Sequence, residues 1–570
     1  MKSRSIFAAA LALLFCATAV PARQLNEKQR RDLRDVAYVV TVENDADLPR
    51  VHIELVFEGD ADGESGIYLP NSWGGQDRLD GAIRNLNVLP SSARLVDTDT
   101  LHIKKIQHKP KARLRIRYEL VQETPGPAKA GRGAGYRPLL QADYIHWIGH
   151  GGWVLPDWPD DEVARITVAW KGLPKSWTIA NSFGASNVWQ RVEASVSDFS
   201  HAVFMAGDFR IRKLDISGRT VVVAMRGAWK FTDDAYADLV ARIFRVERDF
   251  WSDHSRPYYL VSLIPLEGPP TSLSIGGTGL VDSFATFVTT NTELPQLRFL
   301  LAHELFHEWN PQSLGKVDEP ERGMYWFTEG FTDYYTFALL RRSGLLTDDE
   351  YAEHYNELLR EYTLSPVRNA TNERILKDFF SDEAVGRLPY WRGALLAMRW
   401  DARIRAKSGG KSSLDVVMKS LFEDAKRDKQ RVVTNALIAG LIEPLAGGNV
   451  MAEITAHVTN GETIEPAPDG AGPGYELVQI ELLPFELGFD LDSLLQKKVI
   501  AGVVAGSAAE RAGLRNGQVL VQRKPIHITD PTKPVEMTVK DGDVERSITY
   551  LPQAAKGPIV AQYRKREGVR

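Results

Sequence analysis

Two histidines and a glutamate in the segment AHELFHEWN have the types and the spacing of a metal site. His303 and His307 are four residues apart, and Glu304 directly follows the first histidine. On an α-helix, residues four apart lie one turn from each other on the same face, so two imidazoles can reach one ion. Glu304 then lies where a carboxylate can approach a metal-bound water without binding the metal. A motif this short also arises by chance, so a third ligand is needed to support it.

A third candidate ligand lies in the segment MYWFTEGFTDYY. Zinc sites in hydrolases usually combine three protein ligands with a position open to water, and two histidines with one glutamate form such a set. Glu329 completes this set, and Asp333, four residues later, can accept a hydrogen bond from a ligating imidazole. Acids at these positions also occur for the helix dipole or as solvated pairs. The combination of His303, His307 and Glu329 predicts a Zn²⁺ site.

Helices must carry these residues, and the surrounding sequence predicts them. The run from Pro295 to Trp309 is predicted as one helix, because proline is allowed in the first turn and Pro311 blocks continuation. Helical periodicity extends over about residues 231–457. Before it, short runs such as VHIELVFEG, LRIRYELV and ARITVAW, separated by Gly, Pro, Asp and Asn, predict an antiparallel sandwich.

The length and composition indicate a globular protein of several domains. A chain of 570 residues exceeds what one hydrophobic core usually supports, which predicts two to four domains. Hydrophobic residues make up 44% and charged residues 25%, as in globular proteins. The 70 basic and 74 acidic residues nearly balance, so there is no electrostatic reason to expect nucleic acid as a partner.

The N-terminus MKSRSIFAAALALLFCATAVPAR predicts export. Two basic residues precede an apolar run, and Val20 and Ala22 are the small residues expected before a cleavage site. A membrane anchor is the alternative, but the run is short for a transmembrane helix of about 20 residues. Cys16 is the only cysteine and lies inside this segment, so the mature chain has no thiol for disulfides, catalysis or zinc. We expect a secreted or periplasmic protein with no integral membrane segment after signal cleavage.

The motif HELFHEWN, followed after 18 residues by EGFTDYY, resembles the glycyl aminopeptidase family of zinc peptidases, which belongs to the thermolysin-like gluzincins. The resemblance implies that His303, His307 and Glu329 are zinc ligands and that Glu304 is the general base. The segment PYWRGALLAMRWD resembles the family's tyrosine-containing segment. It implies that Tyr390 stabilises the oxyanion, with a buried core aromatic as the alternative.

Members of that family have the domain order that the composition indicates here. The resemblance implies a multidomain α+β fold with an N-terminal β-sandwich, a thermolysin-like zinc peptidase domain and a C-terminal PDZ domain. The expected division is a signal peptide over 1–22, the β-sandwich over 23–215, the catalytic domain over 216–460, a Pro- and Gly-rich linker over 461–475 and the PDZ domain over 476–560.

One segment departs from related aminopeptidases, which carry a glycine-rich edge strand ending in an acid that binds the substrate's α-amine. The segment SIGGTGLVDSF has Gly276 and Gly277, which let an extended substrate approach the strand backbone, but Gly279 stands where the acid is expected. Asp282 and Glu267 are the candidates to replace that acid. The sequence therefore leaves exopeptidase and endopeptidase activity both open.

The C-terminal segments ELGFDLD and VIAGVVAGSAAERAGLRNGQVLVQ resemble a bacterial PDZ domain, with Leu487, Gly488 and Phe489 in the carboxylate-binding loop. Such a loop holds a chain terminus with backbone N–H groups while the peptide adds to a sheet edge. The implied partners are a peptide or protein substrate at the zinc site and a C-terminal peptide at this loop. A packing module without a ligand is the alternative.

These patterns predict a secreted zinc metallopeptidase that is aminopeptidase-like or relaxed to endopeptidase activity. The competing hypothesis is a PDZ-based peptide-binding or scaffolding protein with an inactive peptidase domain. The intact ligand set and the intact base argue against an inactive domain.

Overall fold

The computed structural model describes residues 33–43, 48–131, 133, 135–269, 273–428, 430–528 and 530–567. The predicted signal peptide over 1–22 lies outside these residues. The described chain forms two compact units, one made of the residues up to Thr347 with Thr371–Asn460, the other of Asp348–Ala370 with the residues after Asn460. None of the helices in the described part has the length and apolarity needed to cross a membrane.

Strands dominate the chain up to Met225, as its alternating patterns predict. The strands are β1 (Arg34–Glu43), β2 (Arg50–Glu58), β3 (Glu64–Tyr68), β4 (Ile83–Leu89), β5 (Arg94–Asp97), β6 (Ile103–Gln107), β7 (Arg113–Leu120), β8 (Leu139–Gln141), β9 (Tyr144–Ile148), β10 (Leu155–Pro156), β11 (Val163–Lys171), β12 (Thr178–Asn181), β13 (Gly184–Ala185), β14 (Trp189–Ser195), β15 (Val203–Gly207), β16 (Arg210–Ile216) and β17 (Arg219–Met225). Two short helices lie among them, α1 (Gly149–Gly152) and α2 (Val196–Ser200).

These strands form sheets whose buried faces follow the alternation of the sequence. One sheet has the order β14-β11-β1-β2-β7-β4, a second β10-β3-β6-β5 and a third β13-β12-β15-β9-β8. In β1, Tyr38, Val40 and Val42 point into the core because every second side chain lies on the same face. The purely antiparallel arrangement predicted here is wrong at one place, since β1 pairs in parallel with β11. The long connection between these two strands permits the crossover that a parallel pair requires.

Helices take over after β17, as the change of periodicity predicts. They are α3 (Asp233–Trp251), α4 (Leu294–Phe306), α5 (Tyr325–Thr328), α6 (Gly330–Arg342), α7 (Asp348–Leu364), α8 (Asn372–Asp378), α9 (Glu383–Ser408), α10 (Asp415–Arg427), α11 (Asn435–Ala446) and α12 (Val450–Ile454). The strands of this part are β18 (Tyr258–Leu266), β19 (Ile275–Leu280), β20 (Ser283–Thr289), β21 (Lys316–Val317) and β22 (Val432–Val433). One mixed sheet, β16-β17-β18-β20-β19, ends at β19, which is therefore an edge strand.

The second unit combines α7 with the C-terminal elements. These are β23 (Tyr475–Glu481), β24 (Val519–Arg523), β25 (Val535–Asp541), β26 (Val544–Tyr550) and β27 (Ile559–Lys565), with the helices α13 (Leu491–Lys497) and α14 (Ala508–Arg511). β23 pairs with β27, and β24, β25 and β26 form a separate sheet. The side chain of Asn356 in α7 donates to the backbone O of Tyr563 at 3.0 Å and accepts from its N–H at 2.7 Å. The segment Asp348–Ala370, which lies inside the predicted catalytic domain over 216–460, is thus grouped with the C-terminal residues.

A close helix crossing holds α9 against the corner between α5 and α6. A Cβ atom on Gly393 would lie 1.7 Å from the O of Trp326 and 2.7 Å from the Cα of Gly330. Only a residue without a side chain fits at this distance, so the backbones themselves are in contact. The crossing fixes the position of Tyr390, one turn before Gly393 on α9, relative to Glu329, the residue before Gly330.

We expect Gly393→Ala to lower the free energy of unfolding by about 1–3 kcal/mol, the usual cost of forcing extra atoms into a packed interior. Gly440→Ala is the matched control, because Gly440 also lies in a helix but has nothing within 4 Å of its Cβ position. There the substitution should instead stabilise the protein by about 0.5–1 kcal/mol. Denaturant unfolding of both variants measures the difference, and equal effects would contradict the role of the crossing.

Candidate metal centre

The motif helix α4 begins as its sequence predicts but ends earlier. Glu293 caps its N-terminus in a capping box with Gln296, and Pro295 lies in the first turn. The regular helix stops at Phe306 rather than at Trp309, because the N–H groups of Glu308 and Trp309 donate to carbonyls three residues back in a tighter turn. His307 keeps helical backbone angles, φ −63° and ψ −19°, so the spacing between the two histidines is preserved.

Three predicted ligands converge on one point in the first unit. The Nε2 atoms of His303 and His307 lie 3.0 Å apart. Oε2 of Glu329 lies 3.3 Å from the first of these nitrogens and 3.4 Å from the second. Among the described residues, this is the one cluster of at least three histidine, cysteine or acidic side chains with metal-binding geometry. The structure therefore brings together the set that the sequence predicts.

The opposite ring nitrogens show which tautomer each histidine adopts. Nδ1 of His303 lies 2.8 Å from Oδ1 of Asp333, and Nδ1 of His307 lies 2.8 Å from the backbone O of Asn310. Both partners are acceptors, so each Nδ1 carries the proton and donates it. Each Nε2 then presents a lone pair. Asp333 occupies the supporting position that the sequence predicts for it.

The three converging atoms fit a cation. Two imidazole lone pairs and a carboxylate oxygen are all acceptors, so they cannot hydrogen-bond to one another at these distances. Glu329 is only 3% exposed, and its Oε2 atom is buried without a hydrogen-bond partner among the described residues. Two neutral histidines with one glutamate are a preferred ligand set of Zn²⁺ in hydrolytic sites. Zn²⁺ is the cofactor that this donor set fits.

Glu304 lies beside this centre and is almost fully buried, at 1% exposed. Burial raises the pKa of its carboxyl group to about 6, and the charge of Glu329 acts in the same direction while the N–H of Gly279 on β19 opposes it. Its Oε2 atom has no hydrogen-bond partner among the described residues. The carboxylate is thus available to accept a proton close to the ligands.

Asn310 is a supporting residue that the sequence interpretation missed. Its backbone O accepts from His307, and its side-chain N lies 3.2 Å from the O of Phe327 and 3.3 Å from the O of Thr328. One buried side chain thus links the end of α4 to the end of α5, the turn before Glu329. The sequence signal was the Asn-Pro pair after the helix, which usually marks only a turn.

Tyr390 approaches the centre from α9. Its ring centroid lies 6.1 Å from that of His303, with the two planes 23° apart. Burial, followed by the negative charges of Glu329 and Asp333, raises the pKa of Tyr390 above its ordinary value. The hydroxyl therefore stays protonated at neutral pH and can donate a hydrogen bond near the ligands.

Of the two acids considered as replacements for the missing amine anchor, Asp282 has its carboxylate in an ion pair. Asp282 forms an ion pair with Arg256, whose Nε atom also lies 2.7 Å from Oε2 of the buried Glu308. Glu267 exchanges backbone hydrogen bonds with Ala128 and Ala130. Arg256 already balances the charge of Asp282, so this carboxylate is less suited to bind the α-amine of a substrate.

The glycine strand β19 presents alternate residues to its open edge. The O of Ser274 accepts from the N–H of Thr289 at 2.9 Å, which makes this a hydrogen-bonded pair with β20. Hydrogen-bonded and non-hydrogen-bonded pairs alternate along an antiparallel ladder. The backbone groups of Gly276 are therefore directed at β20, while those of Gly277 and Gly279 face the open edge. The N–H of Gly279 lowers the pKa of the Glu304 carboxyl group, in agreement with this direction.

In the second unit, the predicted carboxylate-binding loop is followed by a helix. The O of Leu487 accepts from the hydroxyl of Tyr550 at 2.6 Å, and the O of Gly488 accepts from Val504 at 2.9 Å. Two residues after Phe489 the chain enters α13 rather than a strand. Addition of a peptide to a sheet requires a strand edge beside the loop. Peptide binding at this loop stays a prediction.

Comparison with known proteins identifies one family and several similar structures. The family model described as M61 glycyl aminopeptidase matches residues 296–375. An aminopeptidase N family protein from Idiomarina loihiensis is similar in structure, with a TM-score of 0.67, 15% sequence identity, and coverage of 93% of this chain and 98% of that one. An M1 zinc metallopeptidase from Deinococcus radiodurans has a TM-score of 0.47 at 17% identity, over 76% of this chain and 95% of that one. No curated protein matches the chain.

The two kinds of match support different conclusions. The matched segment contains His303, His307 and Glu329, so the resemblance to the glycyl aminopeptidase family is confirmed over the part of the chain that carries the predicted ligands. The likeness to the Idiomarina protein shows an aminopeptidase-like, multidomain fold of mixed helices and sheets.

Proposed function

We propose that this chain, a zinc peptidase of the glycyl aminopeptidase type, hydrolyses peptide bonds with Glu304 as its general base. The observation that carries the proposal is a buried carboxylate with a raised pKa directly after a predicted ligand, with one oxygen that has no hydrogen-bond partner among the described residues. His303, His307 and Glu329 would hold Zn²⁺, which supplies a water of pKa lowered to about 7 and polarises a carbonyl.

Glu304 carries out the proton transfers in this mechanism. It accepts a proton from the attacking water and delivers it to the leaving amine. A pKa of about 6 suits both steps, because the group is mostly ionised at neutral pH and is still basic enough to take the proton. Helix α4 packs against β19, which places the carboxylate beside the strand along which a substrate would lie.

Tyr390 supplies a hydrogen bond to the oxygen of the substrate carbonyl as negative charge develops on it. We expect Tyr390→Phe to lower kcat by about a hundredfold, the usual effect of removing one such donor, with a smaller change in KM. Steady-state kinetics measure both constants, and metal analysis checks that zinc is retained. Tyr118→Phe is the matched control, because it removes a buried hydroxyl that donates to the O of Gly152 at 3.1 Å in the β-rich part. A change confined to KM would contradict this role.

A strict aminopeptidase must bind the free α-amine of its substrate. A buried ammonium needs a carboxylate partner, Gly279 offers none, and Asp282 is already paired with Arg256. We therefore favour a relaxed or endopeptidase activity over strict aminopeptidase activity.

Two peptides that differ only in N-terminal acetylation test this preference. Cleavage of both at rates within about tenfold, roughly the effect of 1.4 kcal/mol, is expected. Removal of only the first residue, and only from the free peptide, would overturn it.

The same proposal gives an identity to the catalytic domain and to the second unit. The part of the first unit within residues 216–460, which contains α3 to α6, α8 to α12 and most of the sheet that ends at β19, would form the thermolysin-like catalytic domain. The second unit would be a PDZ-type module used for packing, which is supported by the helix α13 after its loop. A labelled peptide with a free C-terminus should then show no saturable binding beyond that of its amidated counterpart.

Export to the periplasm or the medium completes the proposal. It rests on the basic, apolar and small-residue pattern of residues 1–22. N-terminal sequencing of the protein recovered from a bacterial periplasm should begin at residue 23. Recovery of the full-length chain from the cytoplasm alone would overturn this assignment.

A further inference from the structure

The open edge of β19 is already occupied at one residue. Tyr136, in the loop before β8, donates its hydroxyl to the O of Gly277 at 3.0 Å. The ring is 5% exposed and packs against Trp73, with the ring centroids 5.0 Å apart. A peptide strand added to this edge would place a backbone N–H at the position of that hydroxyl. The tyrosine therefore takes the place of a substrate residue.

The occupied position lies close to the reacting groups. Gly277 and Gly279 are two residues apart, which corresponds to about 7 Å along a strand. Helix α4, which carries Glu304, packs against β19, and the N–H of Gly279 is the backbone group of β19 that acts on the Glu304 carboxyl group, so the bond to be cleaved lies near Gly279. A peptide that pairs with the edge at Gly279 can continue for about two residues before it reaches Tyr136.

The direction of the peptide decides which end meets the tyrosine. An antiparallel pair is more stable per residue than a parallel one, and β20 already pairs with β19 in the antiparallel sense. A peptide antiparallel to β19 runs from Gly279 toward Gly277 in its own N-to-C direction. Its leaving-group side, after the cleaved bond, is the side that approaches Tyr136.

We propose that Tyr136 is a specificity-determining residue that limits the leaving-group side of the substrate to about two residues. The substrate class is then short peptides, or longer chains cleaved close to their C-terminus, and not the interior of a folded protein. This inference rests on the proposed peptidase function and specifies the substrates of that same site.

Two peptide series with zinc-loaded full-length protein test the proposal. In one series the residues flanking the cleaved bond stay constant and one to six alanines follow the bond. In the other, alanines are added before it. For the wild type, kcat/KM should fall at least tenfold once more than two residues follow the bond, and should stay flat in the second series. Tyr136→Leu, which keeps an apolar side chain against Trp73, should remove the fall, while Tyr118→Phe should retain it.

The outcomes separate this inference from the function on which it rests. A flat profile for the wild type in the first series overturns the proposal even if Tyr136→Leu fails to fold, because the wild type alone is sufficient for that test. A limit in the second series overturns the stated direction and with it the proposal. In both cases cleavage of the shortest peptide leaves the peptidase function standing. Failure of the zinc-loaded wild type to cleave any peptide would overturn both.

Discussion

Replacement of Glu304 with glutamine is expected to lower kcat by about a thousandfold while the zinc content stays at about one per chain. The amide has nearly the same shape as the carboxylate, but it cannot accept the proton of the attacking water. Glu304 is not one of the three converging ligand atoms, so the metal should remain bound. Metal analysis and steady-state kinetics on the same preparation measure the two properties together.

The matched control for this variant lies on the same helix. Glu293→Gln makes the same chemical change at the N-cap of α4, where a glutamine can still accept the capping hydrogen bond, and should leave turnover within about twofold. Near-normal turnover in Glu304→Gln would mean that another group is the base. Loss of zinc in that variant would mean that Glu304 is itself a ligand.

His307→Ala should abolish stoichiometric zinc binding and reduce turnover to background. Without this imidazole only His303 and Glu329 converge, and two protein ligands fall short of the three that hydrolytic zinc sites use. Elemental analysis after reconstitution with zinc and dialysis measures the loss.

Asp333→Asn should have a milder effect, an affinity for zinc that is about 10- to 100-fold weaker, because it alters only the hydrogen bond to His303.

His52→Ala provides the corresponding control, since this histidine on β2 is partly exposed and lies among surface acids. It should keep one zinc per chain and full turnover. Retention of stoichiometric zinc by His307→Ala would contradict the assigned ligand set. A loss of zinc in both variants would show that the metal depends on general stability rather than on these donors.

The two histidine ligands could be predicted because their spacing is local, and Glu329 because its residue type completes a known zinc ligand set. The spacing between His303 and His307 is set by one helical turn, and α4 begins where Pro295 in its first turn predicts. The β-rich and helical regions were also predictable, since alternation and helical periodicity are properties of short segments. The end of α4 was predicted three residues late, because the tighter turn at Glu308 and Trp309 depends on backbone contacts that the periodicity does not reveal.

The residues that could not be predicted act across long stretches of sequence. Asn310 binds carbonyls 17 and 18 residues away, and Tyr136 reaches a strand 141 residues later. The parallel pairing of β1 with β11 also joins segments that lie far apart in the sequence. A single sequence shows that such side chains are polar or aromatic, but it does not show which carbonyl or strand they meet. The predicted role of Gly276 likewise depended on a register that only the ladder with β20 reveals.

The place of α7 in the second unit has a consequence for synthesis of the protein. Asn356 in α7 is hydrogen-bonded to Tyr563 in β27, which follows it by 207 positions. At about 5–20 residues per second, the helix waits about 10–40 s for β27 to be made. During that time α7, which packs against β27 in the folded chain and carries the buried residues Tyr355, Leu358 and Leu359, lacks this partner. An exported chain that crosses a membrane while unfolded would avoid this interval, because all its residues are then available when folding begins.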